Sequence, residues 1–369
     1  MAICILGLII YSSHHLLGQE VSASDKADKS VHLSDLDIDM QWFLSYLSGK
    51  ENDKTFNEFL LKRGYVTIKK KINKTFSGRI TNDITVDKEG DGEGDVKVRV
   101  KYLYLKTQLP SFGVFHKPYF EFGLVHRPWL DFEEHVNFYR VQGTMFVERN
   151  DILNSADYGI VLFSLLGGEM DENYKKTVNK NYAGKYGSFA VGVVNGGGYH
   201  SREKNKNKSL ESRITIRPFH KIFPGLQFSY NGAFGKGNTA EAPDWNYNLG
   251  YISYESSHLI LTGSYFDGKG NSKGSAIKDT VSFEALPQNG YSLFGEWKLF
   301  ESQFSIIGRY DYFTREFPSV DLTTKRTIVG LAFHFVPGST LLLDYDYLDY
   351  SDKTKKNSYV FELAVEFKY

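Results

Sequence analysis

The chain has 369 residues, with 44 basic and 44 acidic side chains, so its formal charge is zero. That balance excludes the basic excess of a nucleic-acid binder, and the single cysteine excludes a disulfide scaffold. No apolar run reaches the roughly 18 residues of a spanning helix, while 28 Phe, 25 Tyr and 34 Gly point to a β-protein rich in aromatic positions and tight turns.

In chain order, the first element is the apolar run Ala2–Ile10, which has the length of a signal-peptide core. Val21-Ser22-Ala23 offers a cleavage site before Ser24, although no Lys or Arg occurs before Lys26 to supply the usual charged start. The segment reads as a signal peptide over 1–23, followed by a short periplasmic segment over 24–36. Its removal takes Cys4 with it, so the exported chain carries no disulfide.

From residue 37 onward the pattern is period-two alternation, repeated. At the C-terminus Tyr359, Phe361, Leu363, Val365, Phe367 and Tyr369 share one face, with Glu362, Glu366 and Lys368 on the other. Val96, Val98, Val100, Tyr102 and Tyr104 alternate in the same way with Lys97, Arg99 and Lys101. Sixteen such segments fall near 37–48, 58–72, 75–87, 95–107, 118–126, 155–165, 186–194, 208–218, 225–234, 245–254, 258–267, 289–299, 303–312, 324–336, 340–350 and 358–369. They run about 10–12 residues, the length that crosses a bilayer at a tilt, and aromatics sit near the ends of their greasy faces. In lipid such a sheet must close on itself. The sequence therefore predicts an all-β transmembrane antiparallel barrel of about 16 strands over 37–369. Its even strand number would leave both termini in the periplasm.

The connections alternate too. Those at 73–74, 255–257, 300–302 and 337–339 are short, as periplasmic turns are, while 88–94, 195–207, 268–288, 313–323 and 351–357 are longer and polar or Gly-rich. The Lys/Asn-rich stretch 166–185 breaks this rule on the turn side. The longest outer connection, 127–154, contains the amphipathic piece Trp129–Tyr139 and is expected to fold into the pore, a surface cap being the other reading.

Several pieces resemble the phosphate-selective porin O/P family of outer-membrane channels. Gly123-Leu124-Val125-His126-Arg127-Pro128 looks like a family strand end, followed at a similar distance by Glu148-Arg149 and Asp157-Tyr158-Gly159. Val194-Asn195-Gly196, Arg213 to Arg217-Pro218, Gly308-Arg309-Tyr310-Asp311, Thr327–Phe335 and Leu342-Asp344-Tyr345 continue the likeness in order. The resemblance implies a sixteen-stranded homotrimeric porin and small anionic solutes such as phosphate. Ala156 departs from it, standing where a basic residue is expected, and no complete ladder of phosphate-binding arginines aligns.

With the polar faces turned inward, strands two to four would contribute Arg63, Lys69, Lys71, Arg79, Lys97, Arg99 and Lys101 as a basic wall, Lys97 near the outer rim and Lys71 near the periplasmic end. Glu296, Asp311, Asp344, Asp346, Glu362 and Glu366 would face them. Opposed walls of this kind set up a transverse field, though any wet lumen carries charges of both signs. Within 127–154 the constriction candidates are Arg127, Glu133, Glu134, Arg140 and Arg149.

Enzymatic readings find no support in the spacing of the histidines, and no cofactor or metal site is expected. The acidic stretch Asp87–Asp95 lacks the EF-hand order, and the two Gly-Lys-Gly-Asn copies at 235–238 and 268–271 lack the context of a phosphate loop. The chain reads as a passive outer-membrane diffusion channel for small hydrophilic solutes, anions foremost. Its partners would be lipid, and during biogenesis the barrel-assembly machinery, which the aromatic C-terminus would engage. The alternative is a barrel that serves as sleeve, receptor or anchor for another protein.

Overall fold

A computed structural model describes residues 36–87 and 92–369. The expected signal peptide, the segment before Leu36 and the middle of the Asp87–Asp95 stretch lie outside the described residues.

The strands are β1 (Leu36–Glu51), β2 (Lys54–Lys71), β3 (Phe76–Val86), β4 (Val96–Gln108), β5 (Phe115–His126), β6 (Ala156–Leu166), β7 (Gly187–Val194) and β8 (Ser209–Ile216). They continue as β9 (Leu226–Lys236), β10 (Asp244–Glu255), β11 (Leu259–Lys269), β12 (Pro287–Leu299), β13 (Phe304–Glu316), β14 (Asp321–Val336), β15 (Ser339–Tyr350) and β16 (Ser358–Lys368). Each pairs antiparallel with its neighbours in sequence, and β16 pairs with β1 to close one barrel. The closure ends on reciprocal backbone bonds between Met40 and Tyr369, at 2.8 and 3.0 Å. Closure leaves no strand edge unpaired, which an apolar surroundings demands.

The alternation sorts side chains as the pleat requires. Phe361, Leu363 and Phe367 point outward and are exposed, while Glu362 and Glu366 point inward and are buried. Outward-facing Tyr265, Tyr291, Tyr310, Tyr312, Tyr347 and Tyr359 cluster toward the end of the barrel that carries the long loops. Trp297, Phe304, Phe333 and Phe367 ring the opposite, short-turn end. Aliphatic residues and glycines fill the band between, which gives the two aromatic girdles of a membrane barrel.

Two expectations change. The outer loop read at 313–323 shrinks to 317–320, because β13 and β14 extend their ladder to Glu316↔Asp321. Lys62 and Lys101 each sit at a register shift, unpaired between Phe43/Leu44 and between Thr81/Asn82 on the facing strands. Such a bulge lets two consecutive residues face the same side. Tyr102 and Tyr104 consequently turn inward, not outward with Val96, Val98 and Val100, and Leu103 and Leu105 take over the outer face. Lys62 likewise joins Arg63 in the lumen.

Candidate pore constriction

The loop 127–154 lies inside the barrel. Its root is fixed by the Arg127 guanidinium, which is fully buried, bonded through Nε and Nη2 to Glu211 of β8, and stacked 5.0 Å from the Trp245 ring. Arg213, also on β8, donates from Nε to the Pro128 carbonyl at 3.0 Å. Gly123 lies just before this root, with φ at 128° and a Cβ position only 2.4 Å from the Leu103 carbonyl oxygen, so no side chain fits there.

Two short helices, α1 (Leu130–Glu134) and α2 (Phe146–Arg149), turn one side of the loop toward β10–β16. Trp129, Leu130, Phe132, Tyr139, Met145 and Phe146 pack with Trp245, Tyr251, Phe266, Phe294 and Phe313 in one buried cluster. Trp129 meets Tyr251 edge-on at 5.0 Å, and Phe146 meets Phe313 at 5.9 Å. These inward aromatics would be costly facing water; each such side chain contributes about 1.5–3 kcal/mol on burial, so the loop belongs on this wall.

The acidic residues expected on the same wall hold the loop and each other's counter-ions. Tyr139 donates to Glu296 at 2.7 Å, Gln142 to Asp346 at 3.3 Å, and Arg149 lies 3.6 Å from Asp311. Arg309, named above only within a motif, and Arg326, which no sequence expectation names, pair with Asp311 at 2.9 Å and Asp346 at 2.7 Å. Lys62 reaches Glu362 at 2.6 Å and the Val141 and Gln142 carbonyls at 2.5 and 3.0 Å. Gln41 donates to Glu366 at 2.6 Å. Asp344, opposite Glu362 in register, is buried with neither oxygen hydrogen-bonded.

The basic wall is less uniform than its sequence suggests. Arg63 and Arg99 converge on Asp83 at 3.1 and 2.9 Å, Lys69 pairs with Asp39 at 2.5 Å, and Lys97 pairs with Asp87 at 2.8 Å. Lys71 is exposed at the end of β2. Two of the seven, Lys101 and Arg79, form no direct ion pair among the described residues, although Lys101 acts on the Glu148 charge and Arg79 on that of Asp131. Lys101 lies 4.7 Å from the Tyr65 ring and 5.3 Å from the Tyr102 ring. Arg79 lies 4.8 Å from the Tyr102 ring and bonds Thr81 and the Nε2 of His126. The bulge adds Lys106 to this line, 3.4 Å from the Tyr119 ring. From the long-loop side toward the short-turn side, Lys101, Arg79 and Lys106 thus form a column of cations on aromatic faces.

The constriction candidates divide in two. Arg127 and Glu133 do not face open lumen: Arg127 is buried on Glu211, and Glu133 accepts from the Trp129 Nε1 at 2.7 Å beneath the loop. Burial pushes the Glu133 carboxyl up to about 7. Arg140 bridges Glu134 at 3.3 Å and Glu148 at 2.9 Å. Burial opposes the charge on Glu148, but Arg140, Lys101 and Arg63 outweigh it and hold its carboxyl below the usual range. Glu148 and Arg140 thus couple the free side of the loop to the basic wall. Arg149, bonded to Gln142 at 2.7 Å, is held below the usual arginine range by burial and by Arg309 and Arg326.

The unusual turn also enters the lumen. Residues 167–186 carry α3 (Glu172–Thr177), capped by Asp171 accepting from the Tyr174 N–H at 2.8 Å. Beyond it Asn179 donates to the His135 carbonyl and to Glu255, both at 2.7 Å, and Tyr182 donates to Asp131. The loop from one end and the turn from the other meet inside the barrel. The motif pieces likewise converge: Asp157 accepts from the Gly196 N–H at 2.7 Å, joining two of the family-like segments.

No protein-family profile matches the chain, and no curated protein matches it. Solved structures do. An anion-selective porin from Comamonas acidovorans is 9% identical over 90% of this chain and 100% of its own, with a TM-score of 0.60. The outer-membrane channel DcaP of Acinetobacter baumannii is 10% identical over 92% and 99%, with a TM-score of 0.57. OmpT, an outer-membrane protein of Vibrio cholerae in its trimer form, is 12% identical over 90% and 99%, with a TM-score of 0.56. The fold is that of an outer-membrane porin.

Proposed function

We propose that the protein is a passive diffusion channel with a preference for small anions. The observation that carries this reading is the asymmetry of the lumen. The acids of β12–β16 are largely engaged by the inserted loop and by Arg309, Arg326 and Lys62. Lys101, Arg79 and Lys106 lie against aromatic rings and form no direct ion pair among the described residues, although Glu148 and Asp131 of the loop and Glu121, opposite Lys106 in register, act on them from farther off. Physiological salt screens charges beyond roughly 8 Å, so a solute in the lumen responds to the wall it touches and not to a net charge of zero. Phosphate is among the anions this column would pass. The anion-selective porin of like fold lends support, as does the trimer form of OmpT to a homotrimer. The aromatic C-terminus at Phe367 and Tyr369 fits recognition by the barrel-assembly machinery.

The test is the reversal potential of the purified protein in planar bilayers under a KCl gradient. The expected sign is that of chloride preference, reduced as salt rises. Absence of conductance would favour a barrel that serves as a sleeve for a partner, a reading to which the meeting of loop and turn inside the lumen lends weight.

A further inference from the structure

The connection between β8 and β9, residues 217–225 at the short-turn end of the barrel, is apolar where a turn is ordinarily polar. Phe219, Ile222 and Phe223 are 49%, 74% and 54% exposed. The backbone holds them in one shape. The Ile222 and Phe223 N–H groups both donate to the Phe219 carbonyl, at 3.0 and 2.8 Å, and the Leu226 N–H donates to the Phe223 carbonyl at 3.0 Å. Arg217 ties the two ends, donating from Nη1 to the Pro224 carbonyl. Ile214 and Ile216 of β8 and Phe228 of β9 are exposed on the outward face as well. The turn thus extends the apolar face of the strands it joins, and an exposed apolar patch of this kind marks an interaction surface.

Two lysines flank the patch. Lys221 lies within the turn, and Lys185 stands just before β7. The Arg217 N–H donates to the Tyr186 carbonyl at 2.9 Å, and the His220 ring meets the Tyr186 ring at 5.2 Å, which brings the two segments together. Neither lysine forms an ion pair among the described residues. In the adjoining turn, Lys117 and Lys175 occupy Glu169, and Lys175 also occupies Glu172. The charges that bear on His220 are those of Lys185, Lys221 and Arg217, all positive. Arg217 itself faces inward, 4.8 Å from the Tyr174 ring, where it acts on Glu255.

We infer that this turn docks an anionic phospholipid, the headgroup phosphate on Lys185 and Lys221 and the acyl chains against Phe219, Ile222 and Phe223. The inference rests on the membrane-barrel fold alone and holds whether or not the lumen conducts. Interfacial binding grows with buried apolar area and with attraction to anionic headgroups, and one short segment supplies both. A lysine lays its aliphatic stem on apolar surface while its ammonium reaches the polar layer, as Lys221 can between His220 and Ile222. A water-soluble protein partner is the poorer match, because the patch continues the face that lipid covers.

The test offers the full-chain protein in neutral detergent equal amounts of phosphatidylglycerol and phosphatidylcholine with identical acyl chains, and counts retained lipid by native mass spectrometry. Phosphatidylglycerol is expected to be retained severalfold over phosphatidylcholine, since each lysine at a bilayer surface contributes about fivefold. Lys185→Gln with Lys221→Gln should bring the two lipids near parity. Lys353→Gln with Lys355→Gln, exposed in the connection between β15 and β16, should leave the preference intact. Phe219→Ser with Phe223→Ser should lower retention, and free glycerol phosphate should not displace the lipid. Equal retention by the wild type, a preference that survives loss of both lysines, or retention indifferent to the two serines overturns the inference. Displacement by glycerol phosphate overturns it too, since the lysines then take a free phosphate and no lipid. If the serine variant fails to fold, the lysine pair and the soluble competitor decide.

Discussion

On the β2–β4 wall, Lys101, Arg79 and Lys106 lie against tyrosine rings and form no direct ion pair among the described residues, whereas on the β12–β16 wall Glu296, Asp311, Asp346 and Glu362 all have donors or cations in hand. Both walls are rich in charge. The difference arises because the 127–154 loop packs its apolar side on the aromatic patch of β10–β13 and so brings its polar groups onto the neighbouring acids. In a lumen, the charges that act on a solute are those left over after the inserted segments have taken their partners.

The strongest way to break this contrast is to remove the loop. Replacing residues 130–150 by a short Gly/Ser linker should raise single-channel conductance severalfold. It should also turn the reversal potential toward cations, because the acids of β12–β16 then face water. A larger pore that still prefers anions would show that the loop does not neutralise this wall.

Arg127→Ala should come next. It leaves the Glu211 carboxylate buried beside Trp245 without a counter-ion, which costs about 3–5 kcal/mol. Thermal unfolding in detergent should show a clearly lower midpoint, and proteolysis should find the loop root. On the other wall, neutralising Arg79, Lys101 and Lys106 to Gln should shift the reversal potential toward cations. Neutralising the paired Lys69 and Lys97 should shift it less.

Glu133 provides a pH handle on the loop side alone. Its carboxyl titrates at about 7 in the folded chain against an ordinary 4.5, with burial as the main cause. Below about 4.5 it is protonated in both states. Between 4.5 and 7 only the unfolded state releases the proton, so stability falls as pH rises, by about 3 kcal/mol at most. Unfolding midpoints at pH 5 and pH 8 should differ for the wild type and differ less for Glu133→Gln. The smallest effect expected is that of Tyr182→Phe. It removes one bond between turn and loop, worth about 1 kcal/mol, and should appear as more frequent current fluctuations without a change in selectivity.

Much of this architecture was legible beforehand. A strand's side chains alternate by steric necessity, so period-two patterning revealed sixteen strands to within a few residues at each end, and the aromatic girdles with them. Even the bulges left a trace. The outward aliphatic series Val96, Val98, Val100 resumes at Leu103 and Leu105, a step of three that marks the slip at Lys101; Leu61 to Gly64 marks the one at Lys62. The length and amphipathic core of 127–154 foretold its inward fold.

What the sequence could not determine was which charges cancel. Arg127 and Glu211 are 84 positions apart, Lys62 and Glu362 are 300, and Tyr139 and Glu296 are 157. Nor does anything in the Lys/Asn-rich turn 167–186 announce that Asn179 and Tyr182 will meet the loop from the other end. Alternation is a local property, set by each strand's own backbone, so it survives in a single sequence. Charge pairing across a closed barrel depends on strand tilt, register and the path of an inserted loop, and these exist only once β16 has closed on β1.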